Sequence, residues 1–442
     1  MADQYRCSSC GHDSHKWFGR CPECGSWSTA SQSTGSGEAG LTSLTLDSAP
    51  ADPPRTATGI GELDRVLGGG FVAGSVVLLA GEPGIGKSTL VLQLLDALAR
   101  DDKDVLLVSG EESIAQVSGR AKRLGVDGGR LRVAASTSLA AVLTDVTASN
   151  PDLVVVDSIQ TIADGNLEQP AGSLVQIREC AAALTEHAKR TGISFVLVGH
   201  VTKEGSVAGP KTLEHVVDVV LSLEGDRTGA LRLLRANKNR FGATDETGVF
   251  VMSTKGLDPV GDPSALFLAD RREGVPGSVV FPSIEGSRPV LVEVQSLVAE
   301  GAPQQLRRVA IGLDQRRLSL LTAVVSQRAG LSLAAQDVFV AVAGGLTVRE
   351  PAADLAVCLA LFSAATGSPL GERAVALGEV GLSGEVRRVP SMARRLSEAR
   401  RLGFTSAFVP YSFDEHIEGL RPIRVPDLAA AFTQARAAAV PV

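Results

Sequence analysis

The 442-residue sequence predicts an α/β protein whose main domain is built on a largely parallel sheet, preceded by a four-cysteine module and followed by a second α/β domain. Three observations carry that prediction. Four of the six cysteines fall within the first 24 residues, as two Cys-x2-Cys pairs. A glycine-rich loop at 81–88 lies between an apolar run and a helical pattern. From Thr58 to about Lys255, short apolar runs alternate with helical patterns, as they do when helices connect parallel strands.

Bulk properties set the limits. A chain of this length exceeds one hydrophobic core, so two or three domains are expected. With 44% hydrophobic and 21% charged residues it reads as an ordinary globular protein. The net charge of -6 gives no overall basic character, so any contact with nucleic acid must use local patches. The segment Met1 to Cys10 is polar and does not read as a secretory leader. The longest uncharged stretch, Leu355 to Gly371, contains Ser, Thr, Gly and Pro and is expected to be a buried helix rather than a membrane span.

Taken in chain order, residues 1–29 hold Cys7, Cys10, Cys21 and Cys24. Four thiolates suit tetrahedral Zn²⁺, which would fold a segment too short to hold itself together and leave no open coordination position. Gly11 and Gly25 directly follow the second cysteine of each pair, where tight turns are needed; redox-active pairs are the competing reading. Residues 30–57 are rich in Ser, Thr, Gly, Pro and Ala and read as a flexible linker.

The apolar runs of the next region are Val76–Ala80, Val105–Ser109, Leu153–Val156, Phe195–Gly199, Val217–Leu223 and Leu231–Ala236. The first leads into Gly81-Glu82-Pro83-Gly84-Ile85-Gly86-Lys87-Ser88, with a helix expected over Thr89–Leu98. This is a full match to the ATP phosphate-binding loop. Its glycines let backbone N–H groups wrap the phosphates, and the helix start adds a favourable field. Lys87 is expected at the β/γ-phosphates, Ser88 on Mg²⁺, and Thr89 completes the nucleotide-binding set. Leu153–Val156 ends in Asp157, a second Mg²⁺ position. Glu111 and Glu112 follow Val105–Ser109; Glu111 is the expected water-orienting acid and Glu112 the helix-start acid. His200 ends the Phe195–Gly199 run. It reads either as a γ-phosphate sensor, or link to a DNA-binding loop, or as a structural histidine. The glycine-rich Val201–Lys211 segment, with Lys203 and Lys211, reads as a substrate loop.

After Leu257 the texture changes. Runs at Val279–Phe281 and Pro289–Val294 lead into further α/β alternation, and only here do Arg-Arg pairs occur: 271–272, 307–308, 316–317, 387–388, 394–395 and 400–401. They read equally as solvated charge or as a phosphate-facing surface.

Together these motifs resemble the bacterial RadA (Sms) family of recombination and repair ATPases over nearly the whole chain. The most discriminating element is Lys238-Asn239-Arg240-Phe241-Gly242, which general phosphate-loop ATPases lack. The resemblance implies a RecA-like domain at 58–257, with Lys238 and Arg240 reaching the γ-phosphate of a neighbouring subunit as an arginine finger does. Residues 258–442 resemble the proteolytic domain of Lon, through Gly378–Val380, Gly384–Val386 and a helix at Arg394–Gly403. Lon's Ser-Lys dyad falls on Ala356 and Ala393, while Ser363 and Ser391 do not match, so this domain is expected to be catalytically inactive. The resemblance further implies a DNA-dependent ATPase with ATP, Mg²⁺ and Zn²⁺, acting as a hexameric homo-oligomeric ring. Its partners would be single-stranded and branched DNA and the RecA recombinase. It would promote branch migration in the bacterial cytoplasm, at the nucleoid when on DNA, without a membrane. An ATP-driven regulatory ring without DNA and an ATP-dependent protease are the competing readings.

Overall fold

The computed structural model describes residues 4–7, 13–14, 17–22, 24, 26, 30–33, 54–200, 210–225, 230–301, 306–371 and 373–438. The chain forms two compact units, Met1–Pro53 and Pro54–Val442.

In the first unit the strand Gln4–Cys7 is the centre of a three-stranded antiparallel sheet, between Asp13–Ser14 and Ala30–Ser33. The Cys21 amide donates to the Ser26 carbonyl at 2.9 Å. Cys21 is buried and Cys24 exposed, with its Sγ 3.4 Å from Ser26 Oγ. Cys10, and the side chain of Cys7, lie outside the described residues. The strand Ala30–Ser33 falls inside the interval read as linker. So does Arg55–Thr56, which pairs with Phe71–Val72 in the second unit.

The second unit is built on two sheets. The first has nine strands: β1 (Val76–Gly81), β2 (Val105–Ser109), β3 (Leu131–Ala135), β4 (Leu153–Asp157), β5 (Ser194–His200), β6 (Val219–Glu224), β7 (Leu231–Asn239), β8 (Thr247–Ser253) and β9 (Gly256–Pro259). Their order is β9-β8-β7-β6-β1-β5-β4-β2-β3. The six from β6 to β3 are parallel and the other three antiparallel. The central strands are continuous Val/Leu/Ala runs because helices cover both faces, leaving no solvated side to alternate towards. Helix α1 (Gly61–Leu67) packs beside β7 and β8, and α2 (Lys87–Arg100) buries Leu90, Val91, Leu94, Leu95 and Leu98 on one stripe. Edge strand β3 was not expected from the sequence; Leu-Arg-Val-Ala-Ala is only half-buried there and lacks the apolar run of a central strand.

The second sheet has seven strands: β10 (Ser278–Glu285), β11 (Arg288–Glu300), β12 (Arg308–Ile311), β13 (Gln336–Val342), β14 (Ala374–Ala376), β15 (Ser406–Pro410) and β16 (Arg421–Val425), in the order β12-β13-β11-β10-β14-β15-β16. The helix Asp354–Thr366 runs through its core and is buried from Asp354 to Ser363. This is the stretch expected as a buried helix, and no described helix is long and apolar enough to cross a membrane. The two sheets are tied by Arg288, which donates to the buried carboxylate of Glu62 at 2.8 Å; the same Glu62 oxygen takes the Val249 amide at 2.8 Å.

The Arg-Arg pairs are not a uniform phosphate-facing surface. Arg395 is buried (3% exposed), donates to the Pro282 carbonyl at 2.7 Å and forms an ion pair with Glu350. Arg317 clasps the buried Asp354, Arg307 the buried Asp337 at 2.7 Å, and Arg388 pairs with Asp414 and Glu415. In each of these pairs at least one member is engaged by a carboxylate of the chain itself. Ala356, the position matched to the Lon nucleophile, is fully enclosed within its helix. Ala352, one turn earlier, lines a cleft of about 1240 Å³ with Pro351, Ser391 and Arg395.

Candidate nucleotide site

Parallel strands of one sheet present their carboxyl ends along a single edge, where α/β proteins bind ligands. The register places Gly81 beside His200, and Asp157 beside both Val198 and Ser109. The glycine-rich loop, Asp157, His200 and the Ser109–Glu112 turn therefore gather at that edge, as the motifs predict.

The loop can only be glycine at two of its positions. A Cβ on Gly81 would lie 2.7 Å from the Leu223 carbonyl oxygen, and Gly86, at φ 119°, would drive one to 2.8 Å from Met252. Gly86 is the N-cap of α2 and provides no side-chain cap. The first-turn amides of the helix thus have no side-chain acceptor there, an arrangement suited to phosphate oxygens.

Lys87 is 4% exposed. Its Nζ donates to the carbonyls of Gly81 (2.8 Å) and Glu82 (3.0 Å) and lies 3.2 Å from His200 Nδ1. Burial lowers its pKa, against the opposing pull of Asp157 and Glu111. Asp157 shifts up through burial, opposed by a hydrogen bond with Ser88. Ser88 and Asp157 are thus brought together as a hard oxygen pair suited to Mg²⁺.

Glu111 and Glu112 separate clearly. Glu111 Oε1 accepts from Ser158 Oγ at 2.5 Å and lies 3.2 Å from His200 Nε2. Burial pushes its pKa up, but the Ser158 hydrogen bond, the contact with His200 and the Lys87 ammonium outweigh burial and hold it low. Glu112 instead pairs with Arg120 beside the start of the helix Ile114–Leu124.

Two contributors escape sequence reading. Arg232 on β7 is 4% exposed and its Nε donates to the Ile85 carbonyl within the loop at 2.9 Å. Gln93 braces the same region from α2, bonding the Leu257 amide (2.9 Å) and carbonyl (3.2 Å). A signal for Arg232 was present: it shares the buried face of β7 with Leu234 and Ala236, where an arginine needs acceptors.

Lys238 and Arg240 lie at the opposite edge. The ammonium of Lys238 donates to the carbonyls of Glu214 and Val217, the latter at 2.8 Å. Burial and the neighbouring Arg240 lower its pKa. Arg240 is anchored to Asp218, its guanidinium 3.4 Å from Oδ1, and Asp218 Oδ2 takes the Val76 amide at 3.1 Å. Val76 is five residue steps from Gly81, roughly 17 Å along the strand. Lys203 falls outside the described residues, as does the side chain of Lys211.

Comparisons with known proteins agree with this geometry. A sequence model described as an AAA domain matches residues 52–206, and one described as a rubredoxin metal binding domain matches residues 5–31, which hold all four clustered cysteines. The chain is 46% identical to the DNA repair protein RadA of Mycobacterium tuberculosis over 441 residues, covering 97% of this chain and 92% of that protein. It is 49% identical to the DNA repair protein RadA of Pseudomonas aeruginosa and 44% identical to that of Bacillus subtilis, each match covering 92% of both chains. The chain belongs to the RadA family of DNA repair proteins.

Proposed function

We propose that the protein is a DNA-dependent ATPase of repair and homologous recombination that works as a hexameric ring, translocating on DNA and promoting branch migration. The observation that carries this reading is the division of cations between two edges of one sheet. Lys87 belongs to the chain's own phosphate loop, while the Lys238 and Arg240 side chains are bonded to Val217 and Asp218, at the other end of the strands. That placement suits a neighbour's nucleotide and not their own.

Within one subunit, the amides of 84–88 and Lys87 would hold the β- and γ-phosphates. Lys87 would exchange the Gly81 and Glu82 carbonyls for phosphate oxygens. Ser88 and Asp157 would hold Mg²⁺, which when bound neutralises charge on those oxygens. Glu111, kept ionised, would orient the attacking water. Glu112 is already committed to Arg120. Cys7, Cys10, Cys21 and Cys24 would hold one structural Zn²⁺, supported by the metal-binding match across 5–31. The domain at 258–442 would serve assembly and DNA contact, with no peptidase activity. RecA and single-stranded or branched DNA are the proposed partners, in the bacterial cytoplasm.

The test is ATP turnover measured with and without single-stranded DNA. Several-fold stimulation is expected; turnover indifferent to DNA, together with no retention of DNA, would leave the ATP-driven regulatory ring without DNA as the better reading.

A further inference from the structure

Among the groups at the nucleotide edge, His200 is the one whose chemistry is still unassigned. It ends β5 with its side chain about one-third exposed, and its two ring nitrogens face two different ions of the site. Nδ1 is 3.2 Å from Lys87 Nζ and Nε2 is 3.2 Å from Glu111 Oε1.

These neighbours dictate the ring's tautomer. An ammonium only donates, so the nitrogen facing Lys87 must present a lone pair. A neutral imidazole then carries its proton on Nε2, where it donates to the Glu111 carboxylate. Glu111 Oε1 thus takes two donors, Ser158 Oγ and His200 Nε2. No hydrogen bond from a described residue reaches Oε2. A carboxylate pinned through one oxygen keeps a fixed plane and offers the other oxygen in a defined direction.

We propose that His200 is a positioning residue: through Nε2–H it fixes the Glu111 carboxylate so that Oε2 is presented to the attacking water, and through Nδ1 it registers whether Lys87 is on the loop carbonyls or on a phosphate. When Lys87 leaves for a phosphate, Nδ1 loses its donor while Nε2 keeps Glu111 in place. The bridge therefore holds the acid in one orientation while Lys87 moves between the loop carbonyls and a phosphate. This rests on the reading of Glu111 as the water-orienting group.

The experiment compares full-length His200→Ala, His200→Gln and Glu111→Gln by steady-state ATP turnover with saturating DNA and by binding of a fluorescent ATP analogue. His200→Ala should bind the analogue within about twofold of wild type while kcat falls roughly 10²-fold, the scale of a misplaced catalytic group. A glutamine amide offers one acceptor and one donor at similar spacing, so His200→Gln should recover most of the turnover. Wild-type kcat in His200→Ala overturns the proposal. So does a His200→Gln variant as slow as His200→Ala while still binding the analogue, since that would mean the ring's bulk matters and not its donor and acceptor. Normal turnover in Glu111→Gln would instead retire the assignment of Glu111 beneath it.

Discussion

The proposed function gives Lys87 and Glu111 different work, and single substitutions should separate them. Lys87 is the buried cation inside the phosphate loop, so Lys87→Ala should abolish turnover and weaken nucleotide binding. Glu111→Gln preserves shape and removes the charge, so it should keep ATP bound while hydrolysis stops; filter retention of radiolabelled ATP alongside a phosphate-release assay distinguishes the two. Adjacent residues in the second domain make a sharper contrast. Arg394 and Arg395 are neighbours in sequence, yet Arg394 is exposed while Arg395 is buried against Glu350 and the Pro282 carbonyl. Removing one partner of such a pair costs about 3–5 kcal/mol. Arg395→Ala should therefore shift the denaturation midpoint markedly, whereas Arg394→Ala should stay within about 0.5 kcal/mol. Equal midpoints for the two variants would mean that the Glu350 pair contributes nothing to the fold. A charge reversal covering both residues could not report on DNA, because it would first disrupt this packing.

At the scale of one element, β7 has distinct roles along its length. Arg232 near its start bonds the chain's own phosphate loop, and Lys238 near its end is held by carbonyls at the far edge. A strand in the middle of a hydrogen-bonded sheet is stiff, so both ends keep fixed positions relative to the nucleotide edge. As the proposed arginine finger, whose worth is about 10³–10⁵ in turnover, Arg240 replaced by alanine (Arg240→Ala) should leave ATP binding and remove hydrolysis. Mixing Arg240→Ala chains with Lys87→Ala chains creates interfaces with an intact loop beside an intact finger. Partial return of activity is expected; mixed assemblies that form normally and remain dead would assign the pair to DNA or to its own site.

On the scale of the whole molecule, the chain separates at Pro53–Pro54 into two compact units. Removing residues 1–53 should leave 54–442 folded with its thermal transition intact, while zinc analysis should fall from one ion per chain to none. Zinc retained by the truncated protein would place the metal elsewhere. The two sheets of the larger unit, by contrast, share Arg288, Glu62 and the Arg235–Glu285 ion pair, so a cut near residue 260 should destabilise both halves.

What the sequence determined by itself was local chemistry. The loop at 81–88, Asp157 at the end of its apolar run, the paired cysteines and the positions of the central strands along the chain could all be read because each depends on residues adjacent in the chain and on a period set by the backbone. Tertiary structure decided everything that depends on distance across the chain. It separated Glu111 from Glu112 by bringing Ser158 and His200 to one and Arg120 to the other. It turned Arg395 inward, placed Arg232 under the loop, and set Lys238 and Arg240 at the edge away from their own phosphate site. A side chain's partners are fixed by strand order and register, and those arise from burial summed over two whole sheets, which no window of neighbouring residues contains.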